Sequence, residues 1–135
     1  METDLLEIDR LTNQFFNVFD NTNNNIPNLD DIKNIFIKEG MIISNNNGEP
    51  LIYDLDNFIK PRVKILSDGT LTDFREREVS HKTSIFGNIA QRFSLYEKSG
   101  KLNGEYFKSQ GMKTIQFIKV RDKWKMSSVA WSDKE

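Results

Sequence analysis

The sequence has 135 residues, of which 37% are hydrophobic and 29% are charged, and it contains ten Phe and two Trp. This length fits one domain, residues 1–135, and the apolar content is sufficient for a packed core, which excludes a wholly disordered chain. Nineteen Lys and Arg side chains against 20 Asp and Glu give a net charge of −1, and Cys is absent. The broad positive field of a general nucleic-acid binder is therefore missing, and disulfides and zinc–thiolate sites are excluded.

The sequence shows no targeting or membrane-spanning pattern. Its first residues, Met1–Asp4, are acidic, whereas a secretory signal begins with basic residues and continues into an apolar stretch. No apolar run approaches the roughly 18 residues needed to cross a bilayer. We therefore expect a cytoplasmic protein with neither a membrane nor a nucleic acid as its partner.

Three helices are predicted in the first half of the chain. The second is expected to begin at Asn28 and to end at Gly40, and the third to be capped by Asp54 and kinked by Pro61. The first covers about residues 4–20, where apolar residues recur at steps of three and four and form one stripe of an amphipathic helix. The stripe consists of Leu5, Ile8, Leu11, Phe15, Val18 and Phe19.

The remaining segments have the pattern of β-strands. Met41–Ile43 and Leu51–Tyr53 flank a turn-rich loop and are predicted to pair as a small hairpin. Four long strands follow after residue 70, and the short breaks between them favour an antiparallel meander. Helices followed by a run of strands indicate an α+β protein with its helices on one sheet face. The four predicted strands are Thr70–His81, Thr83–Glu97, Tyr106–Val120 and Lys123–Ser132.

Several stretches resemble one known superfamily. Phe15–Asp20 reads FFNVFD, Phe86–Glu97 contains FGNIA and then SLYE, Gly111–Phe117 reads GMKTIQF, and Lys123–Trp131 begins KWKM. These motifs are similar to those of the nuclear transport factor 2-like superfamily, which includes ketosteroid isomerases and SnoaL-like polyketide cyclases. The resemblance implies a cone-shaped, cystatin-like fold in which three N-terminal helices pack on a strongly bent antiparallel sheet around a pocket. It also implies that Thr70–His81 is an edge strand and that two sheets pair back to back in a homodimer.

The densest charge cluster is Asp73–His81. Alternation along a strand places Phe74, Glu76, Glu78 and Ser80 on one face. Either carboxylate could act as a general acid or base if that face lines a pocket, whereas an exposed edge strand would use the same charges to stay soluble. His81 is the only His, which excludes a multi-His metal site, and neither a metal nor a cofactor is expected.

The candidate ligand-binding residues come from a helix, a loop and the strands that a bent sheet would bring together. Cross-strand hydrogen bonding and core packing would also account for these residue types at these positions, without any ligand. Arg92 is the informative member, because a guanidinium on a pocket wall needs either Glu78 or an anionic ligand. If Glu78 pairs with it, Arg92→Met is expected to be tolerated better than Glu78→Gln. The candidates are Phe16, Tyr53, Arg92, Ser94, Thr114, Gln116, Ser128 and Trp131.

These observations favour a homodimeric protein that binds an unidentified small molecule in a pocket. The dimer is motivated by bulky side chains on both faces of Ile85–Glu97 and Met112–Val120, of which a chain of this size covers only one. One alternative is a cofactor-independent isomerase, cyclase or dehydratase that uses Glu76 or Glu78 as its base. The other is a dimeric interaction domain whose pocket is closed by Phe and Trp side chains.

Overall fold

The computed structural model describes residues 2–134 and shows an α+β architecture. Within this range there are three α-helices, two short 3-10 turns and a single six-stranded sheet in the order β2-β1-β6-β5-β4-β3. The helices are α1 (Glu2–Asn17), α2 (Ile32–Ile35) and α3 (Leu55–Ser67). The strands are β1 (Phe36–Ser44), β2 (Leu51–Tyr53), β3 (Leu71–Phe86), β4 (Ile89–Leu102), β5 (Glu105–Val120) and β6 (Lys123–Lys134). None of the described helices combines the length and apolar character needed to cross a bilayer.

The sheet is mixed rather than wholly antiparallel. Strands β3 to β6 form the predicted antiparallel meander, β1 and β2 form the predicted hairpin, and β3 is an edge strand as expected. However, β1 pairs with β6 in parallel, with Ile42 opposite Val129. Parallel neighbours require a long connection, and here every intervening element from β2 to β5 supplies it. The pairing joins the N-terminal and C-terminal halves of the chain in one sheet.

The predicted apolar stripe of α1 packs against the sheet. Ile8, Leu11 and Phe15 are buried, whereas Leu5, the first member of the stripe, is 39% exposed. Val18 and Phe19 are also buried, but they follow the helix, which ends at Asn17 rather than near residue 20. The start of the helix is fixed to β6 through Trp124, whose indole N–H donates to Asp4 at 3.0 Å and whose backbone N–H donates to Glu7 at 2.8 Å. The face of the sheet that packs against the helices is called the inner face below, and the opposite face the outer face.

The second helix is much shorter than the sequence predicts. A 3-10 turn at Leu29–Asp31 leads into the single turn of α2, and Phe36 already begins β1, pairing with Met126 of β6. Gly40 lies inside this strand instead of ending a helix. A Cβ at Gly40 would come within 2.8 Å of the Phe36 ring, so glycine allows the ring to lie across the strand. Pairing with β6 therefore overrides the helical spacing of the apolar residues.

The third helix begins where the sequence predicts. Oδ1 of Asp54 accepts the backbone N–H of Asn57 at 2.8 Å, which is an N-cap hydrogen bond. Pro61 lies inside the helix, which continues to Ser67. The helix places Phe58 and Arg62, one turn apart, above the same region of the sheet.

Strand β3 continues through the predicted break at His81-Lys82 and turns at Gly87, whose φ is 57°. The pairing with β4 shifts between Glu78 and Ser80, which leaves Val79 as a bulge. Glu76 and Glu78 point inward before the bulge, whereas Ser80 lies opposite Leu95 after it. A two-residue sequence period cannot anticipate this change of face.

Candidate functional site

A cavity of about 970 Å³ lies between α1, α3 and the inner face of β3 to β6. Its walls are mainly aromatic and aliphatic, and the exposed residues Asn46, Asn47 and Lys134 lie at its rim. The aromatic side chains line this space and do not fill it. The apolar and aromatic wall residues are Phe15, Phe19, Phe58, Ile65, Leu66, Leu71, Phe74, Leu102, Phe107 and Trp131.

Glu76 and Lys113 form a buried ion pair on the wall of the cavity. The Lys113 Nζ atom lies 2.9 Å from Glu76 Oε1, and the two side chains are only 5% and 8% exposed, respectively. Oε1 of Glu76 is buried, and within residues 2–134 no donor makes a hydrogen bond of favourable geometry to it. The pair is therefore charge-compensated, while Glu76 keeps capacity to accept a hydrogen bond.

Aromatic rings surround the Lys113 ammonium. It lies 4.2 Å from the ring centre of Tyr96, 4.8 Å from that of Trp131 and 5.4 Å from that of Phe16. These distances allow cation–π attraction, which together with Glu76 favours the charged amine. Burial acts in the opposite direction and outweighs the attraction of Glu76, so the pKa of Lys113 lies below its usual value.

A second polar cluster joins β4 to the end of β6. Asp133 accepts hydrogen bonds from the Tyr96 hydroxyl and from Lys98 Nζ, the latter at 2.8 Å, while Asn46 Nδ2 donates to it at 3.2 Å. Burial alone would raise the pKa of Asp133, but the hydrogen bonds from Lys98 and Tyr96 hold it below its usual value. Gly111 lies opposite Tyr96, and a Cβ there would overlap the phenol, so glycine makes room for the ring that covers Lys113.

Arg62 of α3 also lines the cavity. Its guanidinium lies 3.8 Å from the ring centre of Phe58 and 5.2 Å from that of Tyr53. Nη1 donates to the Phe58 carbonyl oxygen at 3.2 Å. Stacking and this backbone hydrogen bond hold the guanidinium in place at the cavity wall.

Arg92 forms a separate buried network. Its side chain is 2% exposed and donates to Glu78 Oε1 at 2.5 Å, to Glu78 Oε2 at 2.9 Å and to Asp9 of α1 at 2.6 Å. Ser94 donates to Glu78 at 2.6 Å. The expected Arg92–Glu78 pair is therefore present, and Asp9 is a second carboxylate that the sequence analysis did not identify.

The two candidate carboxylates have different surroundings. Glu76 lines the cavity, whereas Glu78 is held by Arg92 and Ser94 outside it. The side chains of Glu76 and Glu78 are 8% and 10% exposed. The interpretation of these two residues as solubilising charges on an exposed edge is therefore wrong, because inward-facing cations on β4 and β5 pair with them.

The predicted ligand-binding residues fall into three groups. Trp131 lines the cavity, while Phe16 and Tyr53 contact its wall through Lys113 and Arg62. Arg92 and Ser94 belong to the buried network just described. The remaining three do not line the cavity, because Lys113 and Ile115 face inward and the intervening residues of β5 therefore face outward. These three are Thr114, Gln116 and Ser128, the last two lying opposite each other on neighbouring strands.

Sequence reasoning missed Lys113 and Arg62, the two cations closest to the aromatic walls. A sequence signal existed for Lys113, since Gly111, Ile115 and Phe117 share its alternating positions and are buried. A single Lys among alternating positions that are otherwise apolar indicates a buried amine that is paired with a carboxylate. Arg62 has no comparable signal, because an Arg on an amphipathic helix is ordinarily exposed. Among residues 2–134, no group of three or more His, Asp or Glu side chains is arranged to hold a metal ion.

The chain has the fold of the nuclear transport factor 2-like superfamily, also called cystatin-like, with helices packed on a curled, open sheet. No protein-family model matches the sequence, and no curated protein matches it either. The fold assignment therefore depends on solved structures, and it confirms the predicted fold class.

Three of these structures show the extent of the likeness. A nuclear transport factor 2-like superfamily protein from Salmonella enterica serovar Typhimurium is 14% identical, with a TM-score of 0.79 over 99% of this chain and 93% of that chain. LinA is 9% identical, with a TM-score of 0.80 over 98% of this chain and 87% of that chain. An uncharacterized protein with a cystatin-like fold from Caulobacter vibrioides is 13% identical, with a TM-score of 0.72 over 96% of this chain and 88% of that chain. At these identities the likeness shows the fold alone.

Proposed function

We propose that the protein binds a small molecule in the cavity between α1, α3 and the sheet. The observation that carries this proposal is the Glu76–Lys113 ion pair, which is buried yet faces an open space of about 970 Å³. Ligand pockets typically measure about 300–1,000 Å³ and combine apolar walls with a few convergent polar groups. A buried ion pair often stabilises a fold no better than apolar side chains of the same volume. Its position at the cavity is therefore explained better by ligand recognition than by stability.

The lining defines the chemistry of the ligand. Phe58, Phe107 and Trp131 offer flat apolar surfaces for a hydrocarbon or aromatic body. Glu76 accepts a hydrogen bond and Lys113 donates one, so the pair suits a group that does both. A hydroxyl has this property.

Fluorescence titration with pyrenebutanol tests binding, since this neutral alcohol has an aromatic body and one hydroxyl. The wild-type protein is expected to bind it saturably. Ser109→Trp fills the cavity and should abolish binding, whereas Gln110→Trp adds the same bulk at the adjacent exposed position and should not. Non-saturable binding to the wild type, or equal binding to both variants, would contradict the proposal.

A second candidate function is proton transfer at carbon, as in a cofactor-independent isomerase, cyclase or dehydratase. The position of Glu76 favours it, because the carboxylate lines the cavity and its Oε1 atom lies 2.9 Å from the Lys113 ammonium. Glu76 would remove a proton next to a carbonyl, and Lys113 would stabilise the negative charge that develops on the oxygen. Glu78 is unsuited to this role because Arg92 and Ser94 occupy its oxygens.

Exchange of the α-protons of benzylacetone in deuterium oxide, followed by NMR, tests this second function. The protein is expected to accelerate exchange, Glu76→Gln to remove the acceleration and Glu78→Gln to retain it. The two variants remove the same charge from neighbouring inward positions of one strand, so each is the control for the other. Exchange at the buffer rate, or equal loss in both variants, would refute the role of Glu76.

We also propose that the outer face of the sheet forms a homodimer interface. Phe93 and Met41 are 52% and 46% exposed on β4 and β1, neither of which is an edge strand, where a solvent-exposed sheet face would ordinarily be polar. A second copy of the chain would cover them. The cavity opens on the other side of the sheet, so such a dimer leaves the proposed site accessible.

A further inference from the structure

Arg62 differs from the other partly or fully buried cations on this side of the sheet. Arg92 is paired with Glu78 and Asp9, Lys113 with Glu76, and Lys98 with Asp133. Among residues 2–134, Arg62 forms no ion pair with a carboxylate. It is half-buried against Phe58, Nη1 donates to a backbone carbonyl, and the Tyr53 hydroxyl and the Glu76 carboxylate are polar neighbours that favour its charge. The other donors of the guanidinium are left for a group that enters the cavity.

The charge of the cavity lining also favours an anion. Among residues 2–134, four cationic side chains and two carboxylates line it, although the whole chain carries a net charge of −1. The two carboxylates, Glu76 and Asp133, are each paired with one of the lysines. The remaining positive charges are Arg62 and the exposed Lys134 at the rim. An aromatic cavity with low dielectric walls strengthens the attraction of such a surplus for a negative ligand.

We propose that the natural ligand is an organic carboxylate whose carboxyl group binds Arg62 while its apolar body occupies the aromatic cavity. This inference rests on the proposed binding function and adds the charge and the anchoring group of the ligand. A guanidinium presents parallel N–H donors that match the two oxygens of a carboxylate. Stacking on Phe58 fixes the plane of the guanidinium before the ligand arrives, so less side-chain freedom is lost on binding.

Three pyrene probes separate the two proposals: pyrenebutanoate, the neutral pyrenebutanamide and pyrenebutanol share one body and differ in the terminal group. We expect the wild type to bind the acid about tenfold more tightly than the amide, because only the acid forms a charge-assisted, hydrogen-bonded pair with Arg62. Arg62→Met should abolish this preference, so that the acid and the amide bind equally. Arg77→Met is the matched control, because Arg77 pairs with Glu97 on the exposed outer face.

The outcomes identify which proposal fails. Equal affinity of the wild type for the acid and the amide overturns the carboxylate inference and leaves the cavity proposal intact. Binding of none of the three probes overturns both. An acid preference that persists in Arg62→Met assigns the anion to Lys98, Lys113 or Lys134 and overturns the role of Arg62. Arg62→Lys, which keeps the charge but loses the two-pronged geometry, should give an intermediate preference and guards against misfolding of the Met variant.

Discussion

Removing Arg92 should destabilise the protein more than removing the charge of Glu78. Arg92→Met leaves Glu78, which is 10% exposed, with only the Ser94 hydroxyl, and leaves Asp9 facing it as a second negative charge. Breaking a buried ion pair from one side in this way costs about 3–5 kcal/mol. Glu78→Gln leaves Arg92 paired with Asp9 and removes one of the two charge-assisted hydrogen bonds from Arg92 to residue 78, which costs about 1.5–3 kcal/mol. This order reverses the one expected from the sequence, because that expectation assumed a single carboxylate.

Urea unfolding at neutral pH gives the unfolding free energy of both variants from the midpoint and the slope of the transition. Arg77→Met removes a guanidinium from an exposed pair and should cost at most about 1 kcal/mol, so it controls for loss of an Arg. If Glu78→Gln lowers the unfolding free energy as much as Arg92→Met does, Arg92 does not compensate both Glu78 and Asp9. The same conclusion follows if Arg92→Met costs less than about 1 kcal/mol.

Three further predictions concern the packing of Trp124, the hydrogen bonds of Asp133 and the oligomeric state. Trp124→Ala should lower the unfolding free energy by about 3–5 kcal/mol, because Trp124 is 1% exposed; a change below about 1 kcal/mol in denaturant unfolding would contradict this packing. Asp133→Asn should destabilise the protein by about 1–2 kcal/mol at neutral pH. The Asp133 pKa is lowered in the folded state, so its contribution is present above the unfolded pKa of about 3.9 and is lost as pH falls through the folded value. The difference in unfolding free energy between the wild type and Asp133→Asn should therefore narrow as the pH falls. A difference that does not change with pH would refute this contribution of Asp133. Light scattering at tens of micromolar should give twice the chain mass of 15.8 kDa, whereas the mass of one chain would remove the dimer proposal.

Local features of the chain were predictable because short-range physics determines them. The stripe of Ile8, Leu11 and Phe15 is buried as its helical spacing requires, and Asp54 caps α3. Asn103 and Gly104 have positive φ values of 51° and 84° and close the β4–β5 hairpin within the break that the sequence indicated. The order of helices and strands was then sufficient to indicate the α+β class, whereas the bent sheet was expected from the resemblance to the nuclear transport factor 2-like superfamily.

Features that depend on distant partners were not predictable. Phe36 leaves the helical register because Met126 of β6 pairs with it, and these residues are 90 positions apart. The bulge at Val79 depends on the register of β3 against β4, which the period of two does not determine. The candidate site was therefore anticipated only in part: Glu76 and Trp131 line the cavity, whereas Thr114 and Gln116 lie on the other face.

The two indole N–H signals in a proton–nitrogen correlation spectrum test directly whether the cavity binds a ligand. Trp131 lines the cavity, whereas the indole of Trp124 is hydrogen-bonded to Asp4 between α1 and β6 and lies outside it. On titration with pyrenebutanoate, we expect the Trp131 signal to shift saturably, the Trp124 signal to stay in place and Ser109→Trp to abolish the shift. A Trp131 signal that stays unchanged at saturating probe, or shifts confined to outer-face residues such as Thr114, would contradict a ligand-binding cavity.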